Sequence, residues 1–288
     1  MGSSRLRAAA THLVVGGAGM AGQATIAALR ARDPDCEIIA TTTAMVADSP
    51  IPGASSVIAG IDFAQYDALP TLVAGLSAPV ATLVYTPAFG PVGFPAARAT
   101  EAQIAAAAVV SVTPLVALRE TLAPSLTIGF SAFYWLDAVL PAYGAMAHAK
   151  RALDAVALAE PAQIKLVRAG VIPSRSAKAI ALSVYREIRR GEHQQLATRY
   201  RASGQGFFDF FYGLAYADEA ACFAPRFGTP HRPTEPADVT GAVAALLAGA
   251  DAPFVNVIGD WLWHDDRLPT LPAYLDAPSV VFNTHTHE

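Results

Sequence analysis

Two residues in this sequence, Tyr143 and Lys150, have the side chains and the spacing for shared acid–base chemistry. Seven positions on a helix, at about 100° each, return to nearly the same face two turns further on. A lysine ammonium can favour a nearby tyrosinate, and a tyrosine can donate a proton to a developing enolate or alkoxide. The same spacing also fits a plainer alternative, a core tyrosine and a surface lysine on an alanine-rich helix. His148, between them, is expected to be a packed or surface residue.

A glycine-rich stretch follows the apolar run Leu13–Val15 near the start of the chain and fits both G-x-G-x-x-G and G-x-x-G-x-x-G. Glycine permits a sharp turn, close backbone contact with a pyrophosphate, and close packing of a helix on a strand. The N-terminus of the helix that follows attracts phosphate groups. We therefore expect a dinucleotide site here. Its contacts would come from Gly16, Gly17, Gly19, Met20 and Gly22.

The residues expected near the ribose and adenine follow the second and third predicted strands. Dinucleotide-binding proteins often place an acidic residue at the end of strand two, but Glu37 lies at the start of that strand. Its end carries Thr41, Thr42 and Thr43, whose hydroxyls could serve either cofactor. No carboxylate there would repel a 2′-phosphate, so we favour NADPH slightly over NADH. Asp62 is placed either to reach the adenine rim or to cap the next helix.

Apolar runs and helix-like segments alternate along most of the chain. This pattern predicts an α/β fold with a doubly wound parallel sheet and helices on both faces. The predicted strands are Glu37–Thr42, Ser56–Ala59, Val80–Tyr85, Ser125–Phe130, Ile164–Val167 and Phe254–Ile258, after a first strand at Leu13–Val15. The predicted helices are Gln23–Arg32, Phe63–Leu76, Ala97–Leu122 with a bend at Pro114, Pro141–Ala159 opened by Pro141, and Asp238–Ala248.

The alternation stops between Ser174 and Pro236, where aromatic residues accumulate from Phe207 to Phe227. One interpretation is a helical cap that packs its aromatic side chains into the core. The other is an apolar substrate pocket above the carboxyl ends of the strands, where open α/β sheets bind ligands. Trp261 and Trp263 are expected on the same substrate side. The two interpretations overlap, because pocket walls are also packed.

Composition limits the class of protein. The chain has 288 residues, 53% of them hydrophobic and 15% charged, with a net charge of −4. These values favour a large core and argue against a nucleic-acid partner. The apolar run Ala102–Leu118 is short for a membrane span, and the first residues lack the apolar region of a signal peptide. Only Cys36 and Cys222 occur, so we expect reduced cysteines, no metal site and a cytoplasmic location.

The glycine turn, Asp62 and the tyrosine–lysine helix together resemble the short-chain dehydrogenase/reductase family. That family usually has Tyr-x3-Lys, but the residue four before Lys150 is Met146, which cannot act as an acid. The spacing Tyr-x6-Lys is similar to the divergent branch of enoyl-acyl-carrier-protein reductases, whose helix has the pattern Tyr-x-x-Met-x-x-Ala-Lys. Tyr143, Met146, Ala149 and Lys150 match that pattern position by position.

Three further segments resemble this branch. Thr86–Pro91 is similar to its Ser-Ile-Gly-Phe-Ala-Pro segment after strand four, which implies cofactor contacts from Pro87 and Ala88. Ala169–Ile172 is similar to its segment after strand six, which implies contacts from Gly170 and from the Ile172 backbone at the nicotinamide amide. Glu235–Val239 resembles the start of the family's late helix. The resemblance extends from about His12 to Gly259.

The sequence also departs from the family pattern at positions that bear on the chemistry. The branch's further tyrosine falls on Phe133, and the nearest tyrosine, Tyr134, is one position off. The family's helix-four asparagine corresponds to Ser111. Ser131 lies twelve residues before Tyr143, near the spacing of the family's catalytic serine. Ser131 and Tyr134 therefore join Tyr143 and Lys150 as candidate catalytic residues.

The resemblance implies a single Rossmann-like reductase domain over residues 1–288, with residues 174–236 as a cap on the substrate side. It implies hydride transfer from NADPH or NADH to an apolar enoyl thioester or carbonyl compound, as in fatty acid metabolism. Tyr143 would stabilise the oxyanion and Lys150 would hold the ribose. It also implies a homo-oligomer without a membrane partner. Two alternatives stay open: a non-catalytic dinucleotide sensor or scaffold, and a ketone reductase that uses Ser131.

Overall fold

The computed structural model describes residues 10–45, 50–65 and 67–276. Within them the chain forms one eight-stranded sheet in the order β3-β2-β1-β4-β5-β6-β7-β8. The strands are β1 Thr11–Val15, β2 Glu37–Thr41, β3 Ser56–Ile58, β4 Thr82–Tyr85, β5 Leu126–Ala132, β6 Ile164–Ala169, β7 Phe254–Ile258 and β8 Trp261–Asp265. All neighbours are parallel except β7 and β8. The predicted doubly wound parallel sheet is confirmed.

The strand order places the glycine stretch where the sheet changes direction. From β1 the chain goes to β2 and β3 on one side and returns to β4 on the other side of β1. The loops after β1 and β4 therefore leave in opposite directions and open a crevice at the carboxyl edge, the usual ligand site of such sheets. Val15 and Tyr85 are register partners there.

Helices cover both faces of the sheet. The elements are α1 Met20–Arg32, α2 Ala68–Ala74, a short 3₁₀ turn Ala96–Arg98, α3 Glu101–Ser111, α4 Thr113–Leu122, α5 Gly144–Ala159, α6 Arg175–Arg189, α7 Gln194–Ser203, α8 Phe207–Phe227, α9 Pro236–Leu247 and α10 Ala273–Asp276. One apolar layer joins α1 and α9 to the sheet, and the other joins α2, α3, α4 and α5. The strands are buried between the layers, which explains their almost continuous apolar sequences.

The predicted helix Ala97–Leu122 is wrong as a single element. Thr100 forms a capping box with Gln103 and begins a new helix, α3. A second break follows at Val112, and Pro114 lies in the first turn of α4, where its missing N–H costs nothing. Among the described helices, α3 and α4 together (Glu101–Leu122) are the one stretch long and apolar enough to cross a membrane, and 44% of its most apolar 18 residues are buried inside the protein.

Other element boundaries also differ from prediction. The helix expected over Phe63–Leu76 is shorter, Ala68–Ala74. The strand β8 was not predicted, although it alternates buried Trp261 and Trp263 with more exposed residues; it pairs antiparallel with β7 at the edge of the sheet. The segment between Ser174 and Pro236 forms three helices, α6 to α8, which are called the cap helices below.

Candidate active site

The glycine turn connects β1 to α1 as predicted. Gly16 has a φ of +78°, and a Cβ at that position would lie 2.5 Å from Thr86 Oγ1. A Cβ on Gly17 would lie 2.7 Å from Ala40 Cβ, and one on Gly22 would lie 2.4 Å from the Gly16 carbonyl oxygen. The fold itself therefore requires these three glycines. Gly19 is different, because it is exposed and its Cβ would meet only the Gly16 oxygen, at 3.4 Å.

The start of α1 is a suitable phosphate site. Gly19 caps the helix without a side chain, and the first turn of α1 contains no acidic residue. The first N–H groups of a helix have no partner within the helix and carry its positive dipole end. A dinucleotide is the ligand whose pyrophosphate fits an open glycine at this position. The residues present thus fit the expected cofactor.

Thr41 fixes the shape of the glycine turn. Its hydroxyl accepts a hydrogen bond from Gly16 N–H at 3.0 Å, and its carbonyl accepts one from Gly17 N–H at 3.0 Å. The Thr41 hydroxyl therefore has a hydrogen-bond partner within the protein and supports the glycine turn. Thr42 is half-buried beside it, and its hydroxyl accepts a bond from Ala44 N–H. Asp62 accepts a bond from Ala64 N–H and so caps the turn after β3 rather than α2.

A cavity of about 250 Å³ lies at the carboxyl ends of β5 and β6. It runs from the start of α1 to the cap helices α6 and α8. Its walls are mostly apolar, and its polar groups include Ser131 and Tyr143. Other lining residues that bear on the chemistry are Met20, Ala21, Phe133, Gly170, Ile172, Phe211, Tyr212 and Glu219. The cavity therefore joins the expected cofactor turn to two of the four predicted catalytic residues.

Tyr143 lies in this cavity but not on the helix where it was predicted. α5 begins at Gly144 instead of Pro141, and Tyr143 is its N-cap. Gly144 has a φ of +49°, which breaks the helical register between Tyr143 and Lys150. The prediction that both side chains share one helix face is therefore wrong. Burial raises the pKa of Tyr143 to about 12, so its phenol stays protonated and can donate a hydrogen bond.

Lys150 is buried below the cavity and is absent from its lining. Its ammonium donates a hydrogen bond to the Phe130 carbonyl at 2.6 Å. Burial lowers the pKa of Lys150 to about 8, against the opposing effect of Asp154 one turn along α5. In the structure the ammonium thus supports the end of β5, next to Ser131.

A buried polar cluster, which the sequence did not reveal, lies beneath Ser131. Arg168 donates two hydrogen bonds to Asp154 Oδ2, at 3.1 and 2.7 Å, and its guanidinium stacks 3.4 Å from the centre of the Phe254 ring. Burial raises the pKa of Asp154, while Arg168 and the hydroxyls of Ser131 and Tyr134 lower it. Neither hydroxyl forms a hydrogen bond to any described residue, and Asp154 Oδ1 also has no hydrogen-bond partner among them. The only sequence signal was Asp154 four residues after Lys150.

Tyr134, another predicted catalytic residue, is fully buried and does not line the cavity. Its ring lies edge-on to Trp135, and burial raises the pKa of its phenol above the usual range. Ser131, by contrast, belongs to both the cavity wall and the buried cluster. Ser131 therefore lies between the cavity and the buried Asp154.

The segment after β4 lies along the crevice. Thr86 donates to the Val15 carbonyl at 2.9 Å, which ties this segment to the glycine turn. Pro87 is half-buried and Ala88 is exposed, outside the cavity lining. Ser111 holds the Phe89 backbone, because its hydroxyl contacts both the N–H and the carbonyl. Ser111 therefore has a structural role at the position where the family has asparagine.

The segment after β6 brings Gly170 and Ile172 to the cavity wall. A Cβ on Gly170 would lie 2.5 Å from Thr234 Oγ1 and 2.9 Å from Glu219 Oε1, so the glycine is required here. Glu219 itself was not predicted. It is fully buried in α8 and accepts hydrogen bonds from Val171 N–H at 2.6 Å and from His231 Nε2 at 2.9 Å.

The predicted aromatic lining is correct only in part. Phe211 and Tyr212 face the cavity. Trp261 and Trp263 do not line it, although they pack with Phe133, which does, in an apolar cluster at the β8 edge of the sheet. His148 is buried as expected and contacts the Ala96 carbonyl at 3.0 Å.

A larger groove, of about 1080 Å³, lies at the opposite edge of the sheet. The amino ends of the strands line it, with His12, Arg32 and Lys165 among its charged or polar residues. It contains none of the glycine turn and none of the predicted catalytic residues. The larger groove is therefore not the site that the sequence predicts.

No family model and no curated protein sequence matches this chain. Solved structures do match it. The crystal structure of gox2181 has 15% identity and a TM-score of 0.58, over 86% of this chain and 94% of that one. A short-chain dehydrogenase from Streptomyces avermitilis has 17% identity and a TM-score of 0.54, over 88% and 89%. A putative β-ketoacyl-ACP reductase has 17% identity and a TM-score of 0.57, over 87% and 96%. At these identities, the comparisons establish that this chain has the Rossmann-like fold of short-chain dehydrogenases and reductases.

Proposed function

We propose that this chain is an NAD(P)H-dependent reductase that transfers hydride to an apolar enoyl thioester or carbonyl compound. One observation carries the proposal: a single apolar cavity joins the open glycine turn at Met20 to the hydroxyls of Ser131 and Tyr143. A reduced nicotinamide, when bound, supplies the hydride, and the protein supplies placement and charge. The match of Tyr143, Met146, Ala149 and Lys150 to the enoyl reductase pattern supports the enoyl substrate.

Tyr143 is the group we expect to meet the developing negative charge. With a pKa of about 12 it keeps its proton at neutral pH and donates it, or a hydrogen bond, to an enolate or alkoxide oxygen. Lys150 would hold the end of β5 and so place Ser131. The Lys150 ammonium donates one hydrogen bond to the Phe130 carbonyl, and two of its three N–H donors remain for other acceptors such as the ribose.

A ketone substrate is the second candidate, and the position of Ser131 favours it. Ser131 lines the same cavity as Tyr143, so two hydroxyls are available to one carbonyl oxygen. The similar structure named as a putative β-ketoacyl-ACP reductase also supports a carbonyl substrate. The sensor alternative draws support from Lys150, which is buried and is absent from the cavity lining.

The test measures oxidation of NADPH and of NADH with crotonyl and acetoacetyl thioesters. We expect turnover with at least one substrate, and we expect Tyr143→Phe to reduce it by about 100-fold or more, the usual contribution of a proton donor. Cofactor affinity, measured by nicotinamide fluorescence, should change little. Tyr274→Phe removes a hydroxyl outside the cavity and is the matched control.

The outcomes separate the alternatives. Enoyl reduction is supported if Tyr143→Phe loses crotonyl reduction while the separate variant Ser131→Ala stays active. Loss of acetoacetyl reduction in both variants supports the ketone reductase. Full activity of Tyr143→Phe would contradict its role, and cofactor binding without any turnover would support the sensor.

A further inference from the structure

Helix α8 contacts both loops that form the cavity walls through two consecutive acidic residues. Asp218 Oδ2 accepts a hydrogen bond from Ala138 N–H at 2.8 Å, in the loop between β5 and α5. Glu219 Oε1 accepts one from Val171 N–H at 2.6 Å, in the loop between β6 and α6. Consecutive side chains on a helix diverge by about 100°, so each can reach a different loop.

These two loops carry the groups that must meet during the proposed reaction. The first loop ends at Tyr143, the proposed proton donor, and the second carries Ile172. Ala138 and Val171 themselves line the cavity. One helix therefore holds the main chain on both sides of the space where substrate and nicotinamide would lie.

Burial of the Glu219 carboxylate at this position costs folding free energy. It is fully buried, and burial raises its pKa against hydrogen bonds from Val171 and His231. His231 is held between the rings of Tyr216 and Trp261, with centroids at 5.7 and 5.6 Å, so its Nε2 stays directed at Glu219 Oε2. A buried carboxylate with such partners is seldom the most stable solution, because apolar groups often pack as well or better. Stability alone thus does not account for it.

We propose that Asp218 and Glu219 are positioning residues, which hold the Tyr143 loop and the Ile172 loop at a fixed separation through one rigid helix. The role in catalysis rests on the proposed function, whereas the mechanical coupling of the two loops does not. Reacting atoms must be held in near-attack geometry, and a displacement of about 1 Å can cost about 100-fold in rate. Loss of this coupling should therefore lower kcat more than it weakens cofactor binding.

The test uses the full chain with two disrupting variants. Asp218→Ala removes the carboxylate, and Glu219→Asp shortens the side chain without removing its charge. Asp218→Asn and Glu219→Gln keep an oxygen acceptor and are the rescue variants. Asp209→Asn, on an exposed position of the same helix, is the control. We measure amide hydrogen exchange in residues 133–143 and 170–174, together with kcat, KM and the cofactor Kd.

We expect each disrupting variant to accelerate exchange in both loops, because the helix connects them. kcat should fall by about tenfold or more while KM and the cofactor Kd change by less than about threefold, and the rescue variants should stay near wild type. Exchange that rises only in the loop directly bonded to the altered residue would overturn the proposal, as would rescue variants that are as defective as the disrupting ones. If the wild type turns over no substrate, the proposed function fails, and the exchange result still decides the coupling.

Discussion

At the scale of single residues, the glycine turn contains two kinds of glycine. Gly16, Gly17 and Gly22 have no room for a Cβ, so the folded chain explains them without a ligand. Gly19 has an ordinary φ of −75°, is exposed, and leaves its Cβ direction almost open. Glycine suits an N-cap, and at this exposed position it also permits the close approach of another molecule.

We expect Gly19→Ala to fold normally but to bind NADPH and NADH at least about tenfold more weakly, a loss of about 1.4 kcal/mol. Alanine is a poorer N-cap than glycine, so the substitution should also lower stability by about 1 kcal/mol, too little to unfold the protein. Fluorescence titration gives the affinity, and thermal unfolding without cofactor gives the stability. Gly213→Ala, at an exposed helix position with no neighbour within 4 Å, is the control and should leave binding unchanged. Wild-type affinity in Gly19→Ala would contradict a phosphate site at this turn.

The residue types at the site were predictable, but some of their partners were not. Ser131 and Tyr143 were identified from spacing, and both line the cavity. Tyr134 is buried outside it, one position away from Phe133, which does line it. Asp154, Arg168 and Glu219 were missed, because their roles depend on contacts across the fold, such as the 2.7 Å bond from Arg168 to Asp154.

At the scale of elements, the start of α5 determines where Tyr143 lies. Gly144 has a φ of +49°, and its N–H donates to the Phe94 carbonyl at 2.9 Å. A Cβ there would lie 2.7 Å from the Pro91 carbonyl oxygen and 2.9 Å from Phe94 Cζ. The loop after β4 thus fixes the last residues before the helix, and through them the phenol of Tyr143.

We expect Gly144→Ala to lower the free energy of unfolding. Backbone strain alone typically costs about 1 to 3 kcal/mol, and the loss should be larger here because the new Cβ also clashes with its neighbours. Turnover should fall as well, since Tyr143 must shift. Gly204→Ala is the matched control, with a φ of +66° but no atom within 4 Å of its Cβ. Urea denaturation of both variants measures the difference. Equal losses in the two would show that the contact with Pro91 has no energetic effect.

Element boundaries show why this feature was not predicted. Pro141 is a residue that often opens a helix, and the sequence from it to Ala159 has no obvious interruption. The true start depends on Gly144, whose left-handed backbone is set by the distant segment 91–94. The break at Val112 lies two residues before Pro114, where a bend was predicted, and the capping box Thr100–Gln103 was a local signal of a new helix start that the prediction did not use. Strands buried on both faces were located well, because apolar runs directly report burial.

At the scale of the whole molecule, the sheet and the cap differ in how much they bury. All four residues of β4 and all five of β7 are buried. In contrast, α6 buries two of its 15 residues, Ala181 and Val184, and α7 buries one of its ten. The cap has its own apolar cluster around Phe207 and Phe210, which includes Ala142 from the Tyr143 loop. The doubly wound core thus forms the stable frame, and the cap rests on it through a smaller cluster.

We therefore expect the cap to open without the sheet. Elements with few buried apolar contacts open at free energies well below that of global unfolding. Native-state amide exchange should give residues 175–203 an opening free energy at least about 2 kcal/mol below that of β4 and β5, a ratio of about 30 in the opening constant. Val184→Ala should then accelerate exchange in the cap alone, whereas Leu115→Ala, buried against the sheet, should accelerate it throughout. A single opening free energy for cap and sheet, with Val184→Ala affecting both equally, would show that the molecule unfolds as one unit and that the substrate side opens only when the whole chain does.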